Sequence, residues 1–310
     1  MRKIFKKFLK KLYDVFISFA GLDIHPEKNQ FIKRLICVDD VAQGKCFLMH
    51  RFSPILSWRE KSVWPLDFRG HAWFLYDLLV QLRAKVIVEF GIHTGQSTLV
   101  LAAAAQQNGG KLFSVDPSDK YRDFVDFNLR YYGLNKSWER VIDDSIKFRE
   151  KWRKLSNDSL IDFILIDSKH EYNLKLKEIE LWLPLIKKGG VIAFHDVLHR
   201  IDNNQAAIDK FLEHKNVCYI ETDGWRISDD SLTAHAYNDG HSVNLNLENG
   251  RPYAYLDEFP AYTRLHKIST NFLKNPRLKI THKEAEKRGF QYSYEVRTNS
   301  NGLGILCKHY

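Results

Sequence analysis

Four side chains that can exchange protons or bind cations follow two neighbouring apolar segments of the chain. Asp167 and His170 come directly after the first segment, and His195 and Asp196 come directly after the second. An imidazole can serve as a general base near neutral pH, and carboxylates are ligands that Mg²⁺ prefers. Either device can activate a hydroxyl group, which is otherwise a poor nucleophile at neutral pH.

The elements around these side chains have the pattern of an open α/β sheet. Residues 161–166 are apolar almost throughout, as expected for a strand that is covered on both faces. Gly189-Gly190 then turns the chain into a second strand at 191–194, so both strands deliver their polar side chains to the edge where ligands bind. The helix between them has apolar residues at three- and four-residue spacings, namely Tyr172, Leu176, Ile179, Leu183 and Ile186.

The stretch VIVEFGIHTGQS at 86–97 predicts a strand, a glycine turn and the start of a helix. Gly91 and Gly95 follow the acid Glu89, and glycines permit the positive φ and the close backbone approach that a bound ligand requires. The helix predicted over 97–105 offers free N–H groups and a partial positive charge at its beginning. We therefore expect a nucleotide-like or carboxylate-bearing cofactor here, although the spacing is not the G-x-G-x-x-G of dinucleotide-binding folds.

A second strand, predicted at 111–115, ends in Asp116. An acid at the end of the second strand of a doubly wound sheet commonly hydrogen-bonds ribose hydroxyls. Strand, glycine turn, helix, strand and acid in this order predict the nucleoside-binding half of an α/β fold.

Several motifs together resemble the class I S-adenosylmethionine-dependent methyltransferases. They are EFGIHTGQS at 89–97, SVD at 114–116, ILIDSKHEYN at 164–173 and WLPLIKKGGVIAFHDV at 182–197. The resemblance covers residues 72–225 and is strongest to the branch that acts on sugars and small hydroxylated molecules, in which an acid-x-x-His-x-Tyr element follows the fourth strand. It implies an α/β fold with a doubly wound, mostly parallel, seven-stranded sheet of the Rossmann-like methyltransferase type.

The same resemblance implies which residues hold the cofactor, S-adenosylmethionine. The glycine turn would hold its methionine part, the acid after the second strand its ribose, and the end of the third strand its adenine. The residues at these places are Glu89, Gly91, Gly95, Asp116, Asp144 and Ser145.

The acceptor side of the site follows from the chemistry of methyl transfer. A methyl group on a sulfonium is already activated, so its transfer needs mainly alignment with the acceptor and removal of the acceptor's proton. His170 is the favoured base and His195 the second candidate, while Asp167 with Asp196 forms a candidate Mg²⁺ site. The predicted function is methylation of a hydroxyl on a sugar, a glycan or a related small molecule.

Each of these residues also has a structural interpretation. The glycines could only shape a tight turn, Asp167 could cap the following helix, and His170 could be a surface residue. His195 could be a hydrogen-bonded histidine at a strand end, and Asp144 with Ser145 could cap the next helix. Two further protein classes stay open: a non-catalytic, membrane-associated partner protein on the same fold, and an NAD-type Rossmann oxidoreductase.

Three regions are predicted along the chain. Residues 1–24 form a basic amphipathic helix, residues 25–71 an N-terminal helical cap, and residues 72–310 the methyltransferase domain. The last strand is expected at 302–307, after a strand at 217–222, which makes residues 228–301 an insertion between the last two strands. This insertion could form a lid over the acceptor or an arm of a dimer.

A hairpin is predicted inside the insertion. Alternating apolar residues at 243–247 precede Asn249-Gly250, and the chain continues into Tyr253 and Tyr255. Because proline cannot donate a backbone hydrogen bond, Pro252 is expected to confine its arm to the edge of a sheet.

The net charge of +9 is concentrated at the beginning of the chain. Residues 2–19 place lysines on one helix face and apolar side chains on the other, which is typical of binding to an anionic membrane surface. The alternative is packing on the protein's own body or across a homo-oligomer. No nucleic-acid reader motif and no membrane-spanning run is present, and the cysteines lack metal or disulfide spacing, so a cytoplasmic location is expected, including the inner face of a membrane.

Overall fold

The computed structural model describes most of the predicted domain. It covers residues 30–42, 68–156, 159–197, 204–220, 277–297 and 302–310, together with the backbone of short strands between 226 and 267. The predicted amphipathic helix at 1–24 lies outside the described residues, so its membrane role stays a prediction. Among the helices that are described, none is long and apolar enough to cross a membrane.

The elements alternate between strands and helices. The helices are α1 (Gln30–Ala42), α2 (Ala72–Gln81), α3 (Gln96–Gln107), α4 (Arg122–Tyr131), α5 (Phe148–Ser156), α6 (Tyr172–Trp182), α7 (Asn204–Leu212) and α8 (His282–Lys287). The strands are β1 (Val86–Phe90), β2 (Lys111–Val115), β3 (Trp138–Val141), β4 (Ile161–Ile166), β5 (Ile186–His195), β6 (Val217–Ile220), β7 (Arg226–Ile227), β8 (Thr233–His235), β9 (Ser242–Glu248), β10 (Arg251–Leu256), β11 (Leu265–Lys267), β12 (Arg277–Leu278), β13 (Tyr292–Arg297) and β14 (Leu303–Lys308).

The main sheet has the order β12-β6-β13-β14-β5-β4-β1-β2-β3. Strands β1 to β5 are parallel, and β14 is antiparallel to both of its neighbours, β5 and β13. The predicted doubly wound, mostly parallel α/β sheet is therefore confirmed, and in the described part of the chain it has nine strands instead of seven.

Helices cover both faces of this sheet because its central strands are apolar on both sides. In β1 the side chain of Ile87 joins the core beneath α1, α2 and α3, and its neighbour Val88 joins the core beneath α5 and α6. Phe163 and Ile164 divide in the same way on β4. This arrangement leaves the carboxyl ends of the strands as the place where polar side chains gather.

Helix α1 lies inside the predicted N-terminal cap and packs against α3. The side chains of Cys37 and Val41 are buried in the shared core. Arg34 Nη1 donates to Gln106 Oε1 at 3.1 Å, and Tyr132 Oη donates to Asp40 Oδ2 at 2.6 Å. These contacts attach the cap to the domain next to the helix that begins at the glycine turn.

The last strands of the sheet differ from the prediction. Strand β13 falls inside the predicted insertion, yet it pairs with β14 over six residues and separates β14 from β6. Residues 292–297 of the predicted insertion at 228–301 thus form a strand of the main sheet, so the insertion before the last strand is shorter than predicted. Gly189-Gly190 also lies within β5, at an irregularity in its pairing with β4, and does not precede the strand.

The predicted hairpin is present as the antiparallel pair β9–β10, in a second sheet of order β11-β10-β9-β8-β7. The expectation that Pro252 confines its arm to an edge is wrong, since β10 lies between β9 and β11. Strand β11 pairs only with residues 253–255, so the position of Pro252 needs no partner on that side.

The inward face of α6 was also predicted incorrectly. Tyr172 and Leu176 are only partly buried, whereas Lys175 and Glu178 are completely buried together with Ile179. A Lys–Glu pair one turn apart has the pattern of a solvent-exposed helix face, so the sequence alone does not reveal its burial.

Candidate active site

A cavity of about 840 Å³ lies at the carboxyl ends of β1, β2, β4 and β5. It brings together residues that are far apart in sequence and were predicted as site residues. Those that line it are Gly91, Asp116, Asp144, Ser145, Asp167, His170, His195 and Asp196. The predicted residues Glu89 and Gly95 do not line the cavity themselves. They lie in the layer beneath its wall, next to lining residues.

Gly91 has a backbone conformation and a location that only glycine can satisfy. Its φ is +95°, and a Cβ atom at this position would collide with the backbone carbonyl oxygen of Asp167. Its N–H donates to the carbonyl of Val115 at 2.9 Å. The turn therefore lies directly against the ends of β2 and β4, which makes one wall of the cavity.

Gly95 is the N-cap residue of α3. It has a φ of +79°, and its N–H donates to the carbonyl of Ile92 at 2.7 Å. His93, within the same turn, also has a positive φ of 45°, which is uncommon for a residue with a side chain. Such conformations concentrate at binding sites, where the surrounding structure maintains them.

Glu89 lies completely buried beneath the glycine turn. Its Oε2 accepts hydrogen bonds from Thr98 Oγ1 at 2.7 Å and from Ser114 Oγ at 2.6 Å. Burial raises the pKa of Glu89 to about 7, and the hydrogen bonds from Ser114, Ser97 and Thr98 only partly oppose this effect. The carboxyl group therefore ties β1, β2 and α3 together and changes its protonation state near neutral pH.

Asp116 fixes the glycine turn to the end of β2. Its Oδ2 accepts from the backbone N–H groups of Ile92 at 2.8 Å and His93 at 3.2 Å, and its Oδ1 accepts from the N–H of Ser118 at 2.7 Å. Because each carboxylate oxygen has two lone pairs, Oδ2 is saturated by its two bonds, whereas Oδ1 can still accept one hydrogen bond from a ligand in the cavity.

Asp144 and Ser145 line the cavity and also have structural contacts. Asp144 Oδ1 accepts from the N–H groups of Ile146 at 3.0 Å and Lys147 at 2.8 Å, and the bond from Lys147 lowers the pKa of Asp144. Ser145 Oγ donates to Glu178 Oε1 at 2.5 Å. Asp144 thus caps the turn that leads into α5, as the structural interpretation expected, while still facing the cavity.

His195 lies between two carboxylates at the acceptor side of the cavity. Its Nδ1 is 3.3 Å from Asp167 Oδ1 and 3.1 Å from Asp196 Oδ1, and its side chain is only 3% exposed. Burial acts to lower the pKa of His195, but the charges and hydrogen bonds of Asp167 and Asp196 outweigh it and hold the pKa well above its usual value. The two carboxylates on either side of Nδ1 therefore favour the protonated form of His195.

His170 is held next to this cluster by a residue that the sequence analysis missed. Asn204 Nδ2 lies 3.1 Å from His170 Nδ1 and also donates to the carbonyl of His195 at 3.0 Å. His170 Nε2 lies 3.6 Å from Asp196 Oδ2. Asp196 itself has a φ of 55°, a further strained backbone position at this edge of the sheet.

Two other residues of the site were missed because they come from the predicted cap. Phe68 lines the cavity, and its ring centroid is 5.7 Å from that of His195. The buried ring of His71 meets His195 edge to face at the same distance. The Gly70-His71 pair before α2 carried no recognisable signal, because only the folded chain brings it to the end of β5.

Asp167 does not cap the following helix, which was its structural interpretation. Helix α6 begins after Glu171, and no side chain caps it. Asp167 instead donates its N–H to the carbonyl of Phe90 at 2.9 Å and turns its carboxylate to the cavity. His170 is likewise more than a surface residue, because its ring contacts Asn204 and Asp196.

A divalent cation has a candidate site here. Asp167, His170 and Asp196 each offer one ligand atom, and within the described chain these atoms lie within 4.8 Å of one another. The number and type of these ligands suit a divalent cation, and the ring of His195 lies between the two carboxylates. Asp167, His170 and Asp196 would hold Mg²⁺ with His195 neutral, because a bound cation takes over the positive charge that otherwise balances the two carboxylates.

Comparison with known proteins gives sequence matches to methyltransferases. Residues 88–197 match the family model described as a methyltransferase domain, a segment that contains every site residue predicted from the sequence. The chain is 32% identical over 122 residues to the probable caffeoyl-CoA O-methyltransferase 3 of Dictyostelium discoideum, covering 39% of this chain and 47% of that protein. It is 30% identical over 127 residues to the flavonoid 3',5'-methyltransferase of Vitis vinifera, covering 40% and 52%.

The chain thus spans about half the length of these curated relatives. A solved O-methyltransferase from Bacillus cereus in complex with SAH is 21% identical with a TM-score of 0.41, covering 65% of this chain and 84% of that one. The sheet order and the sequence match together show an α/β methyltransferase fold in the central part of the chain.

Proposed function

We propose that this protein transfers a methyl group from S-adenosylmethionine to a hydroxyl of a sugar, a glycan or another small acceptor. The observation that carries the proposal is a single cavity with two different walls. The glycine turn and Asp116 form one wall, and the cluster of Asp167, His170, His195 and Asp196 forms the other. A cofactor and an acceptor bound against these walls would meet in the middle of the cavity.

The residues of the first wall fit a nucleoside cofactor. The turn at Gly91 leaves no room for a side chain, and the beginning of α3 supplies a partial positive charge. Asp116 retains one lone pair, on Oδ1, for a ribose hydroxyl, and Asp144 with Ser145 would flank the adenine. When bound, S-adenosylmethionine supplies an activated methyl group, so the remaining task of the protein is to orient and deprotonate the acceptor.

We assign the role of base to His170 and not to His195. The raised pKa of His195 keeps it protonated, so its role is to fix Asp167 and Asp196 in place. His170 can accept a proton at Nε2 when its ring hydrogen lies on Nδ1, which then needs an acceptor. This tautomer requires the amide of Asn204 to turn its Oδ1 towards Nδ1, which gives up the bond from Nδ2 to the carbonyl of His195.

The acceptor class is proposed from the chemistry of the second wall. Carboxylates and imidazoles bind hydroxyl groups, which favours sugars and other hydroxylated molecules. The relatives named for caffeoyl-CoA and for flavonoids suggest aromatic hydroxyls as a second class, and the ring of Phe68 at this wall is compatible with them. The same names favour oxygen as the methylated atom.

The alternative functions are disfavoured by the same cavity. A non-catalytic partner protein has no need for four ionisable side chains gathered at one wall. An oxidoreductase of Rossmann type is expected to carry the third glycine spacing, which is absent after Gly91 and Gly95. Membrane binding through residues 2–19, a homo-oligomer and a cytoplasmic location remain predictions.

The test is a transfer assay with labelled S-adenosylmethionine and a panel of sugars, glycans and phenolic acceptors, each with and without a chelator. We expect transfer to at least one hydroxylated acceptor, and the chelator decides whether the cation site of Asp167, His170 and Asp196 is occupied during transfer. Activity that is lost with chelator and restored by Mg²⁺ would establish the metal site predicted from the sequence. Transfer to none of the acceptors would count against the proposed function.

A further inference from the structure

A charged pair on α6 is completely buried next to the cavity. Lys175 and Glu178 are one turn apart, both side chains are 0% exposed, and Nζ lies 3.2 Å from Oε2. Removing two charges from water costs several kcal/mol per ion, and well-packed apolar residues at such positions are often as stable or more stable. The pair is therefore not explained by stability alone, and its other contacts indicate what it does.

Glu178 and Lys175 hold two serines from different loops. Glu178 accepts hydrogen bonds from Ser145 Oγ at 2.5 Å and from Ser168 Oγ, which lies 2.7 and 2.8 Å from its two oxygens. Lys175 Nζ donates to Ser168 Oγ at 3.1 Å. Trp182, one turn further along α6, donates through Nε1 to the carbonyl of Ser145 at 3.0 Å.

These serines belong to two different loops at the cavity, and their hydroxyl groups meet at the same oxygen of Glu178. Ser145 follows Asp144 at the end of β3, on the adenine side of the proposed site, and Ser168 follows Asp167 at the end of β4, on the acceptor side. Both line the cavity. A single carboxylate therefore joins the two loops that carry these acids.

We propose that Lys175 and Glu178 are positioning residues, which hold the loops after β3 and β4 at the separation that the bound cofactor requires. This inference rests on the proposed function, because the ligand of the cavity is taken to be S-adenosylmethionine or its product. The buried pair touches no reacting atom in this arrangement, and it acts through Ser145 and Ser168.

The test replaces the pair without leaving a lone buried charge. The double variant Lys175→Met/Glu178→Leu replaces the buried charges by apolar side chains. Its melting temperature is expected to lie within about 4 °C of that of the unmodified protein. Its dissociation constant for S-adenosylhomocysteine, measured by calorimetric titration, is expected to rise at least about tenfold because both serines lose their anchor. The matched control is Lys177→Met/Glu180→Leu, which has the same spacing on the exposed side of α6 and should change neither value.

A rescue variant separates positioning from packing. Lys175→Met/Glu178→Gln is neutral, yet its amide oxygen can accept from Ser145 and its amide N–H can donate to Ser168, so affinity should return to within about threefold of the original. If the leucine variant does not fold, the comparison of Ser168→Ala with Ser168→Thr replaces it, and only the alanine should weaken binding. A folded variant that binds with unchanged affinity overturns the proposal. Absence of binding by the unmodified protein overturns the proposed function instead.

Discussion

Replacing His170 by alanine is expected to lower the rate of methyl transfer by about 10²–10⁴-fold, the usual contribution of a general base. The affinity for S-adenosylhomocysteine should stay within about threefold, because His170 lies on the acceptor wall and not at the glycine turn. The rate is measured under single-turnover conditions with the best acceptor from the panel, and the affinity by titration. Loss of rate without loss of cofactor affinity is the signature of a group that acts in the chemical step.

Two further variants make this result specific. His170→Gln keeps a hydrogen-bond donor and acceptor but cannot take up a proton, so it should be nearly as slow as the alanine variant. His214→Ala is the matched control, since the side chain of His214 is 87% exposed and does not line the cavity. Full activity of the glutamine variant would show that His170 orients the acceptor and that another group removes the proton.

Replacing Glu89 by glutamine is expected to remove a large pH dependence of stability. The pKa of Glu89 is raised from 4.5 to about 7 in the folded protein. Between these values the folded state keeps the proton and the unfolded chain has lost it, so unfolding releases a proton and becomes easier as the pH rises. The free energy of unfolding of the original protein should therefore fall relative to Glu89→Gln by about 3 kcal/mol between pH 4.5 and 7.5.

The measurement is urea unfolding of both proteins at several pH values. Groups other than Glu89 titrate in both proteins, so their effects cancel in the difference. Glu150→Gln on the exposed surface of α5 is the control for the loss of a carboxylate and should give a difference that does not vary with pH. If the difference in free energy of unfolding between the original protein and Glu89→Gln also does not vary with pH, the buried carboxyl group is ionised throughout this range.

The parts of the fold that could be predicted are those with local signals. The apolar run before Asp167 gives β4, and the glycines after Glu89 give the turn between β1 and α3, because each pattern lies within a dozen residues. Asp116 was found in the same way, as the acid at the end of a short strand. Their meeting in one cavity follows from the parallel order of the strands, which the alternation of strands and helices indicates.

The end of the sheet was missed although a signal was available. Tyr292, Tyr294 and Val296 alternate, and Asn301-Gly302 follows them, which is a pattern typical of a hairpin. The position of β13 between β14 and β6 could not be read from this pattern, because the partner residues on β6 lie more than seventy positions earlier in the chain. Such pairing depends on the whole fold.

The supporting residues of the site were missed for a similar reason. Lys175 and Glu178 have the spacing of an exposed helical pair, and nothing local indicates that α6 turns them inward. Asn204 and His71 reach the site only because α7 begins near the end of β5 and the segment before α2 passes close to it. Candidate residues on strand ends are visible in the sequence, whereas those that orient them come from other elements and become visible only in the structure.

The central claim is that the cavity binds S-adenosylmethionine, and the most direct test is calorimetric titration with S-adenosylmethionine and S-adenosylhomocysteine. We predict micromolar dissociation constants, which correspond to a binding free energy of about 8 kcal/mol. The variant Asp116→Ala should bind much more weakly, because it loses both the carboxylate for the ribose and the hydrogen bonds that hold the glycine turn. Reduced nicotinamide dinucleotide should not bind. Binding of neither nucleoside by the folded protein would contradict the account and favour a partner protein that retains the fold without the chemistry.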